Sequence, residues 1–436
     1  MKRTLFWFRQ DLRLDDNPAL LEAADGSDEL LCLYCIDPAW FRPGRYQSRP
    51  VGARPWRFIR ESLEDLAVAL RGLGQQLVIR QGDPLSVIPT LLTRHGIERV
   101  VCTAPIGWQE RQQWLALQTR HPEVRFEALQ SFTLYELDRL PFALKDLPKT
   151  FSQFRKRVGH IPLRPRFPAA RQLPPPPLDM ASDPLPQARA PLNRDFQGGA
   201  SAALVHLQHY FAGDAASRYK LTRNALDDWS SSTKFSPWLA QGCLSPRQVL
   251  SALDRYERHA GANESTDWIR FELLWREYFQ WYALAHGVRL FAFTGVQRVR
   301  RPTAFYPERF ARWTQGHTPY PIINAAMHQL DATGFLSNRA RQLVASAFVH
   351  ELGLDWRYGA AYFQERLLDH DVASNWGNWQ YLAGVGADPR GWRRFDLARQ
   401  SELYDPEGEY VTRWCGETVA PLDSLDGADW PVETTP

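Results

Sequence analysis

Glu272, Trp275 and Arg276 fall three and four residues apart, so on a helix a carboxylate, an indole and a guanidinium share one face. A solvated amphipathic face would account for such a pattern. Here, however, the neighbours Phe271, Leu273, Leu274, Tyr278, Phe279 and Trp281 leave little polar surface, and charges among so many apolar side chains need partners or ligands. Asn338 and Arg341, one turn apart behind Gly334 and Ser337, form a second polar cluster. A third is Asp369 and Asp371, followed by Asn375, Trp376, Gly377, Asn378 and Trp379. Two carboxylates beside a turn rich in amides and indoles suit a pocket for a large, planar, polar ligand. A metal is the rival for the aspartates, but no His or Glu at ligand spacing completes a set, so no metal is expected. The run Ser230 to Ser236 places hydroxyls, backbone amides and one lysine ahead of Pro237-Trp238. It fits a diphosphate, and equally a plain capped loop.

The elements that must carry these residues differ between the two ends of the chain. Up to about residue 130, short apolar runs (Thr4 to Phe8, Leu30 to Ile36, Leu77 to Ile79, Val100 to Thr103, Val124 to Leu129) alternate with amphipathic stretches such as Trp56 to Leu73 and Pro84 to Arg94. This alternation predicts a doubly wound parallel sheet. Asn17 before Pro18 predicts a capped helix start. No GxGxxG follows the first strand, so a dinucleotide in the usual Rossmann position is not expected. Residues 131–200 read as an interdomain linker, proline-rich from about 160, with Pro174 to Pro177 in a row and Gly198-Gly199 at its end. From 201 to 436 the apolar spacing is helical, over Ser245 to Tyr256, Asp267 to His286, Ile322 to Thr333, Asn338 to Glu351 and Ala360 to Leu368, which predicts an all-helical second domain.

Composition narrows the class. At 436 residues the chain is long enough for two cores, and 44% hydrophobic with 23% charged residues is ordinary for a globular protein. The net charge of +3, carried mostly by arginine, permits nucleic acid without requiring it. With 17 Trp, 15 Tyr and 23 Phe the chain is unusually aromatic, though packing accounts for most of these rings. No run reaches membrane-span length, and the first residues lead into a strand-like segment rather than a leader, so a cytoplasmic protein is expected. Five scattered cysteines argue against a disulfide framework; Cys32 and Cys35 form a CxxC inside an apolar run, read as buried strand.

These segments carry a family resemblance. Phe6 to Leu20, FWFRQDLRLDDNPAL, resembles the opening of photolyases and cryptochromes. PKTFSQFRKRV from Pro148, YKLTRN from Tyr219, STKFSPWLAQGCLSPR from Ser232, FELLWREYF from Phe271, SNRARQ from Ser337, DHDVASNWGNWQYLAGVG from Asp369 and YDPEGEYV near the end resemble the DASH branch of that family. The motifs fall in order over nearly the whole chain.

The resemblance implies FAD, folded inside the helical domain, with its diphosphate held by Ser232, Thr233, Lys234, Phe235 and Ser236 and Tyr219 nearby. Arg276, Asn338, Arg341, Asp369 and Asp371 match the family's flavin contacts, Arg341 pairing with Asp369, and Asn375 matches the residue that faces flavin N5. Glu272 and Trp275 match the carboxylate and indole that meet a flipped pyrimidine dimer, with Asn338 reaching both ligands. Gln342 and Tyr381 take the DASH-type residues of the lesion pocket, where double-strand repair enzymes carry Met and Trp. Trp379 and Trp356 match the inner two members of the family's electron-transfer tryptophans.

The activity implied is a blue-light-driven deoxyribodipyrimidine photolyase that acts as a monomer on pyrimidine dimers in single-stranded DNA. A signalling photoreceptor that binds nucleic acid without repair is the alternative, and a plain redox flavoprotein a third. Retention of both Glu272 and Trp275 favours the enzyme, as does a short acidic tail, Gly416 to Pro436, in place of a long extension. Three departures stand out. Thr303 occupies the place of the outermost electron-chain tryptophan, leaving Tyr306, Trp313 and Trp376 as substitute donors. The family's TGYPxxDA reads Thr318-Pro319-Tyr320-Pro321-Ile322-Ile323-Asn324-Ala325. Pro105 stands where the antenna glutamate is expected, with Glu110 close by, which counts against a folate (methenyltetrahydrofolate) antenna.

Overall fold

The computed structural model describes residues 2–178, 180–387, 391–392 and 394–423. The strands are β1 (Arg3–Phe8), β2 (Glu29–Ile36), β3 (Leu77–Gln81), β4 (Arg99–Thr103) and β5 (Arg125–Leu129); apolar runs buried on both sides form the inner ones, whereas the margin β5 has no buried residue. All pair in parallel, in the order β3-β2-β1-β4-β5. Every residue of β2 is buried, as a central parallel strand covered on both faces requires. The crossovers are α1 (Pro18–Ala24), α2 (Ala53–Arg71), α3 (Pro84–His95) and α4 (Trp108–Arg120). Asn17 caps α1, its side chain accepting from Leu20 N with Pro18 at the first position. Cys32 and Cys35 lie in different apolar clusters on opposite faces of the sheet, so they cannot share a metal or a disulfide.

The connection from Ser131 to Gly199 contains one α-helix, α5 (Phe151–Val158), and from Gly159 on it is irregular among the described residues. It is nonetheless not a loose tether. Leu30 N donates to Pro175 O and Gln75 Nε2 to Pro174 O. Ile79 N meets Ser182 Oγ and Gln81 N meets Asp183 Oδ2, so the chain sheathes the β3 edge of the sheet. Further on, Trp56 Nε1 and Arg57 on α2 donate to the carbonyls of Pro186, Ala188 and Ala190.

The second half is helical: α6 (Ala200–Ala212), α7 (Ala215–Thr222), α8 (Ser236–Ala240), α9 (Pro246–Ala260), α10 (Glu264–His286), α11 (Pro307–Gln315), α12 (Pro321–Thr333), α13 (Asn338–Ser346), α14 (Trp356–Arg366), α15 (Val372–Leu382), α16 (Leu397–Tyr404) and α17 (Glu409–Arg413). Two boundaries depart from expectation. The helix expected to continue to Glu351 changes at Ala347 to a π-helical turn, Ala347–Glu351, with Leu352 N bonded to Ala347 O. The helix expected from Ala360 starts one turn earlier, at Trp356, because Asp355 caps it by accepting from Arg357 N. No helix among the described residues is long and apolar enough to cross a membrane, and none of their His, Cys, Asp and Glu side chains cluster as a metal site.

One apolar cluster runs without a break from Phe6 and Phe8 of β1, through Trp56 and Leu63 of α2, to Trp238, Trp281 and Trp379 of the helical half. At the heart of the joint is a charge node. Asp16, fully buried, accepts from Arg247 Nε at 2.9 Å, from Phe167 N at 2.9 Å and from Ser245 Oγ. Arg247 also donates to Thr133 O, and Arg13 bridges Asp16 O, Ser131 Oγ and Gly242 O. Gly242, at φ +66°, is pressed against the backbone of Gln10, leaving no room for a Cβ. Removing one partner of such a pair leaves the other charge buried and uncompensated. Asp16→Ala is therefore expected to cost about 3–5 kcal/mol in urea unfolding of the flavin-loaded protein; a loss below about 1 kcal/mol would show that the joint does not depend on it.

Candidate functional site

Glu264–His286 is the beam on which the site is built. Asn263 caps it, its side chain accepting from Ser265 N and Thr266 N while Thr266 Oγ1 accepts from Asn263 N. In mid-helix Glu277, fully buried, accepts from Leu134 N at 2.7 Å, Tyr135 N at 3.2 Å and Trp281 Nε1 at 2.8 Å. This carboxylate ties the beam to the segment leaving the sheet. One residue earlier, Arg276 Nη1 donates to Phe132 O at 2.7 Å and lies within the field of Asp371. Further along α10, Gln280 Nε2 binds both oxygens of Asp371, which itself caps α15 by accepting from Ser374 N.

The residues from Ser232 to Ser236 fold as a loop ahead of the single-turn α8. Lys234 holds φ +53° and is buried; its Nζ donates to Asp228 O at 2.8 Å and Ser232 Oγ at 2.9 Å. Burial pushes this ammonium down to about 8, with Asp228 and Asp227 pulling the other way. Thr233 contributes its carbonyl to His206. Phe235 sends its ring into the core against His206, Tyr210 and Phe211, so its side chain is a packing element. Ser236 Oγ donates to Asp369 Oδ2 at 2.6 Å, and Arg341 Nη2 donates to the same oxygen at 2.7 Å. The 228–236 loop, α13 and the turn before α15 therefore meet at Asp369. Its second oxygen, Oδ1, is buried without a partner among the described residues, as is Nδ1 of His370, whose imidazole burial pushes down to about 4 and so keeps neutral. An acceptor and an imidazole nitrogen left open beside a lysine-bearing loop suit a ligand that brings hydroxyls, ring nitrogens and phosphates.

On the outer face of α10 stand the residues expected to meet a lesion, the mouth of the candidate site. Arg223, following α7, donates from Nη2 to Glu272 Oε1 at 2.5 Å, and Trp268 Nε1 donates to the same oxygen at 3.1 Å. Both donors occupy Oε1, and Oε2 takes no hydrogen bond from the described residues. Burial among rings holds the Glu272 carboxyl above the usual range, against the pull of Arg223 and Trp268. Trp275 is stacked on Phe151 of α5 at 3.9 Å and 11°, and Tyr381 meets it edge-on at 6.2 Å. Gln342 is half-buried on α13, whereas Asn338, at the first position of that helix, is exposed. Tyr219 is buried on α7 within the fields of Glu272 and Arg223.

Trp356 and Trp379 are both fully buried, on α14 and α15. Trp379 packs on Gly359, one turn along from Trp356, where a side chain would clash with the indole. Asn375 Nδ2 donates to Ala360 O at 2.9 Å, locking α15 to α14. Of the substitute donors, Trp376 lies 5.8 Å from Trp356 and Trp313 lies 6.4 Å from Trp379. Exposed Tyr306 instead packs with Arg309. A further ring, Tyr46 of the first half, reaches Trp376 at 6.1 Å. At the antenna position, Pro105 follows β4 and Glu110 is folded back over Gly107 in the first turn of α4. Arg223, Trp268, Glu277 and Tyr46 are not among the site residues read from the sequence; of these, Arg223 and Glu277 lie within the motifs YKLTRN and FELLWREYF, which could have marked them.

Comparison with known proteins agrees with this architecture. Residues 4–176 match the family model described as DNA photolyase, and residues 268–428 match the FAD binding domain of DNA photolyase. The cryptochrome DASH of Idiomarina loihiensis is 52% identical, over 98% of this chain and 96% of that protein. The chloroplastic/mitochondrial cryptochrome DASH of Arabidopsis thaliana is 40% identical over 94% of this chain and 75% of that protein. The crystal structure of a Synechocystis cryptochrome superposes with a TM-score of 0.90 at 38% identity, covering 95% of this chain and 88% of that one. A parallel α/β half joined to a helical flavin-binding half defines a photolyase-type flavoprotein with FAD as its cofactor. More narrowly, the chain belongs to the cryptochrome DASH family.

The Glu277 carboxyl, pushed up to about 7 by burial, supplies a pH test. The folded state keeps this proton at pH values where the unfolded carboxyl, at about 4.3, has lost it. Stability should therefore decline as pH rises from about 4 to about 7, at up to about 1.4 kcal/mol per pH unit, and level off beyond. Glu277→Gln removes that term, so the difference in melting temperature between native protein and variant should change across this window. A constant difference would mean that Glu277 does not titrate there.

Proposed function

We propose that the protein is a blue-light-driven lyase that splits cyclobutane pyrimidine dimers in single-stranded DNA. The observation that carries this reading is Glu272 beside Trp275 at the mouth on α10, with Glu272 Oε1 fixed by two donors and Oε2 free. FAD, when bound, would supply light-driven one-electron chemistry, by which two carbon–carbon bonds of the cyclobutane ring can break without net oxidation. The protein's own residues hold, orient and balance charge.

Ser232, Thr233, Lys234 and Ser236, with the backbone of Phe235, would hold the diphosphate, Tyr219 lying nearby. Arg276, Asn338, Arg341, Asp369, Asp371 and Asn375 would line the flavin. Asp369 Oδ1, a buried acceptor without a partner among the described residues, supports this assignment. At the mouth, Trp275 is held rigid by Phe151 and gives the dimer an apolar wall. Glu272, biased by burial towards its protonated form, donates from Oε2 to the pyrimidine carbonyl that gains charge. Asn338, Gln342 and Tyr381 close the rim. Removing a dimer from a duplex costs a few kcal/mol that a single strand does not demand, and the DASH-type rim favours the single strand. Trp379 and Trp356 would pass charge between the flavin and the outer rings, with Trp376, Trp313 and Tyr46 positioned to follow in place of Thr303.

Glu272→Gln should retain FAD, since Glu272 faces the mouth, and lower the repair yield on a dimer-bearing single strand about tenfold or more. An unchanged yield would remove Glu272 from the chemistry, and equal repair of single- and double-stranded substrates would remove the strand preference.

Lys234 gives a second test. Its ammonium loses its proton near pH 8 in the ligand-free protein, and a bound diphosphate would hold that proton to higher pH. FAD affinity should thus be level below about pH 8 and fall by up to about tenfold per pH unit above it. In rebinding titrations Lys234→Gln should bind more weakly with that fall abolished, whereas Lys234→Arg should remain level because guanidinium stays charged. A native profile without the fall would take Lys234 off the diphosphate.

A further inference from the structure

The outer face of α10 carries more than the two residues of the mouth. Trp268, Phe271, Glu272 and Trp275 follow at helical spacing, and the rings of Trp268, Phe271 and Trp275 form a continuous strip with Phe151. Trp268 lies 4.8 Å from Phe271, Phe271 lies 5.0 Å from Phe151, and Phe151 stacks on Trp275. Cations edge the strip. Lys220 Nζ lies 5.2 Å and the Arg223 guanidinium 5.5 Å from the Trp268 ring, and the Arg155 guanidinium lies 5.2 Å from Phe271. Among the described residues the Lys220 ammonium is otherwise paired only with Glu264, a largely exposed carboxylate, so little binds it against a phosphate. Half-buried Trp268 stands two turns from Trp275, about 10 Å along the helix at 1.5 Å per residue, more than one stacked base away.

Rings interleaved with cations in this way are the chemistry of an unpaired nucleic-acid strand, whose bases stack on the rings while its phosphates meet the charges. We infer that Trp268, with Lys220 and Arg223, is a stacking platform for an unpaired nucleobase next to the lesion, and that its ligand is a single-stranded stretch of undamaged DNA. The inference rests on the lyase reading for its neighbour, the lesion pocket, but not for its own chemistry. A base locked in a duplex cannot stack there, so the platform gives the strand preference a second origin, independent of the cost of flipping.

The full-length, flavin-loaded protein and undamaged oligothymidylate provide the test. An oligomer carrying 5-iodouracil should crosslink to Trp268 in the native protein, and a crosslink map that omits Trp268 overturns the inference without any variant. By fluorescence anisotropy, Trp268→Ala should weaken oligothymidylate binding about tenfold, within the range of one lost base stack. Trp268→Phe keeps a stacking face but lacks the N–H that reaches Glu272, so it should stay within about threefold of the native protein. Lys220→Gln should lower the salt dependence by about one phosphate contact. Native affinity in Trp268→Ala, or equal losses in the Ala and Phe variants, would overturn the platform; the second result would make Trp268 a support for Glu272 only. Repair of an isolated dimer dinucleotide, which has no flanking base, reports on the lesion pocket alone, so its failure sinks the lyase reading and leaves the platform to be judged by oligothymidylate.

Discussion

A buried ion pair carries the joint of this molecule. Asp16 reaches out of the sheet half at positive φ, and Arg247 approaches from the first turn of α9; neither has water to fall back on. Their attraction offsets two desolvation costs only because Phe167, Ser245, Thr133 and Arg13 complete the hydrogen bonding. Geometry of that kind tolerates little displacement. It sets where Ser131 to Tyr135 run, and through the Glu277 carboxylate that segment sets the height of α10. The residues offered at the mouth are thus positioned by a chain of polar contacts that begins in the other half of the protein.

α10 shows how one helix serves two environments. Its inner face presents Glu277, Tyr278 and Trp281 to the core, and Gln280 to α15, all buried. Its outer face presents Trp268, Glu272 and Trp275, half-buried against α5 and α7. A 3.6-residue period keeps the faces apart, so a carboxylate on one ties the helix to the core while a carboxylate five residues away stands on the half-buried face beside Trp268 and Arg223. Both carboxyls are raised by burial, yet Glu277 has donors on both oxygens and Glu272 on one. The number of donors, rather than the shift, distinguishes the two carboxyls.

Much of this was legible in the chain. Inner parallel strands buried on both sides leave unbroken apolar runs, and the strand expectations fall within two residues of the observed elements, the charged margin β5 included. Motif order identified the family and its cofactor. Less visible were contacts between residues far apart in sequence. Arg223 meets Glu272 across 49 positions and Ser236 meets Asp369 across 133. Neither local spacing nor propensity encodes such pairs. The inward turn of the Phe235 ring was hidden for a related reason: the run around it reads as polar, and only the aromatic side chains of α6 show where an apolar slot lies. The acidic tail belongs mostly to residues beyond 423, outside the described part of the chain.

The proline-rich connection has a consequence for how copies of this protein behave towards one another. By pairing with Ile79 and Gln81 of β3, and with Leu30 of β2 just before β3 begins to cover that strand, it occupies hydrogen-bonding groups that this margin of the sheet would otherwise offer to a neighbour. The opposite margin, β5, is short and bears Arg125 and Glu127, charges that discourage a docking strand. With one border sheathed and the other charged, the sheet is a poor template for ribbon growth between molecules, and crowding in a cell has no ready backbone seam along which to zip these chains into fibres.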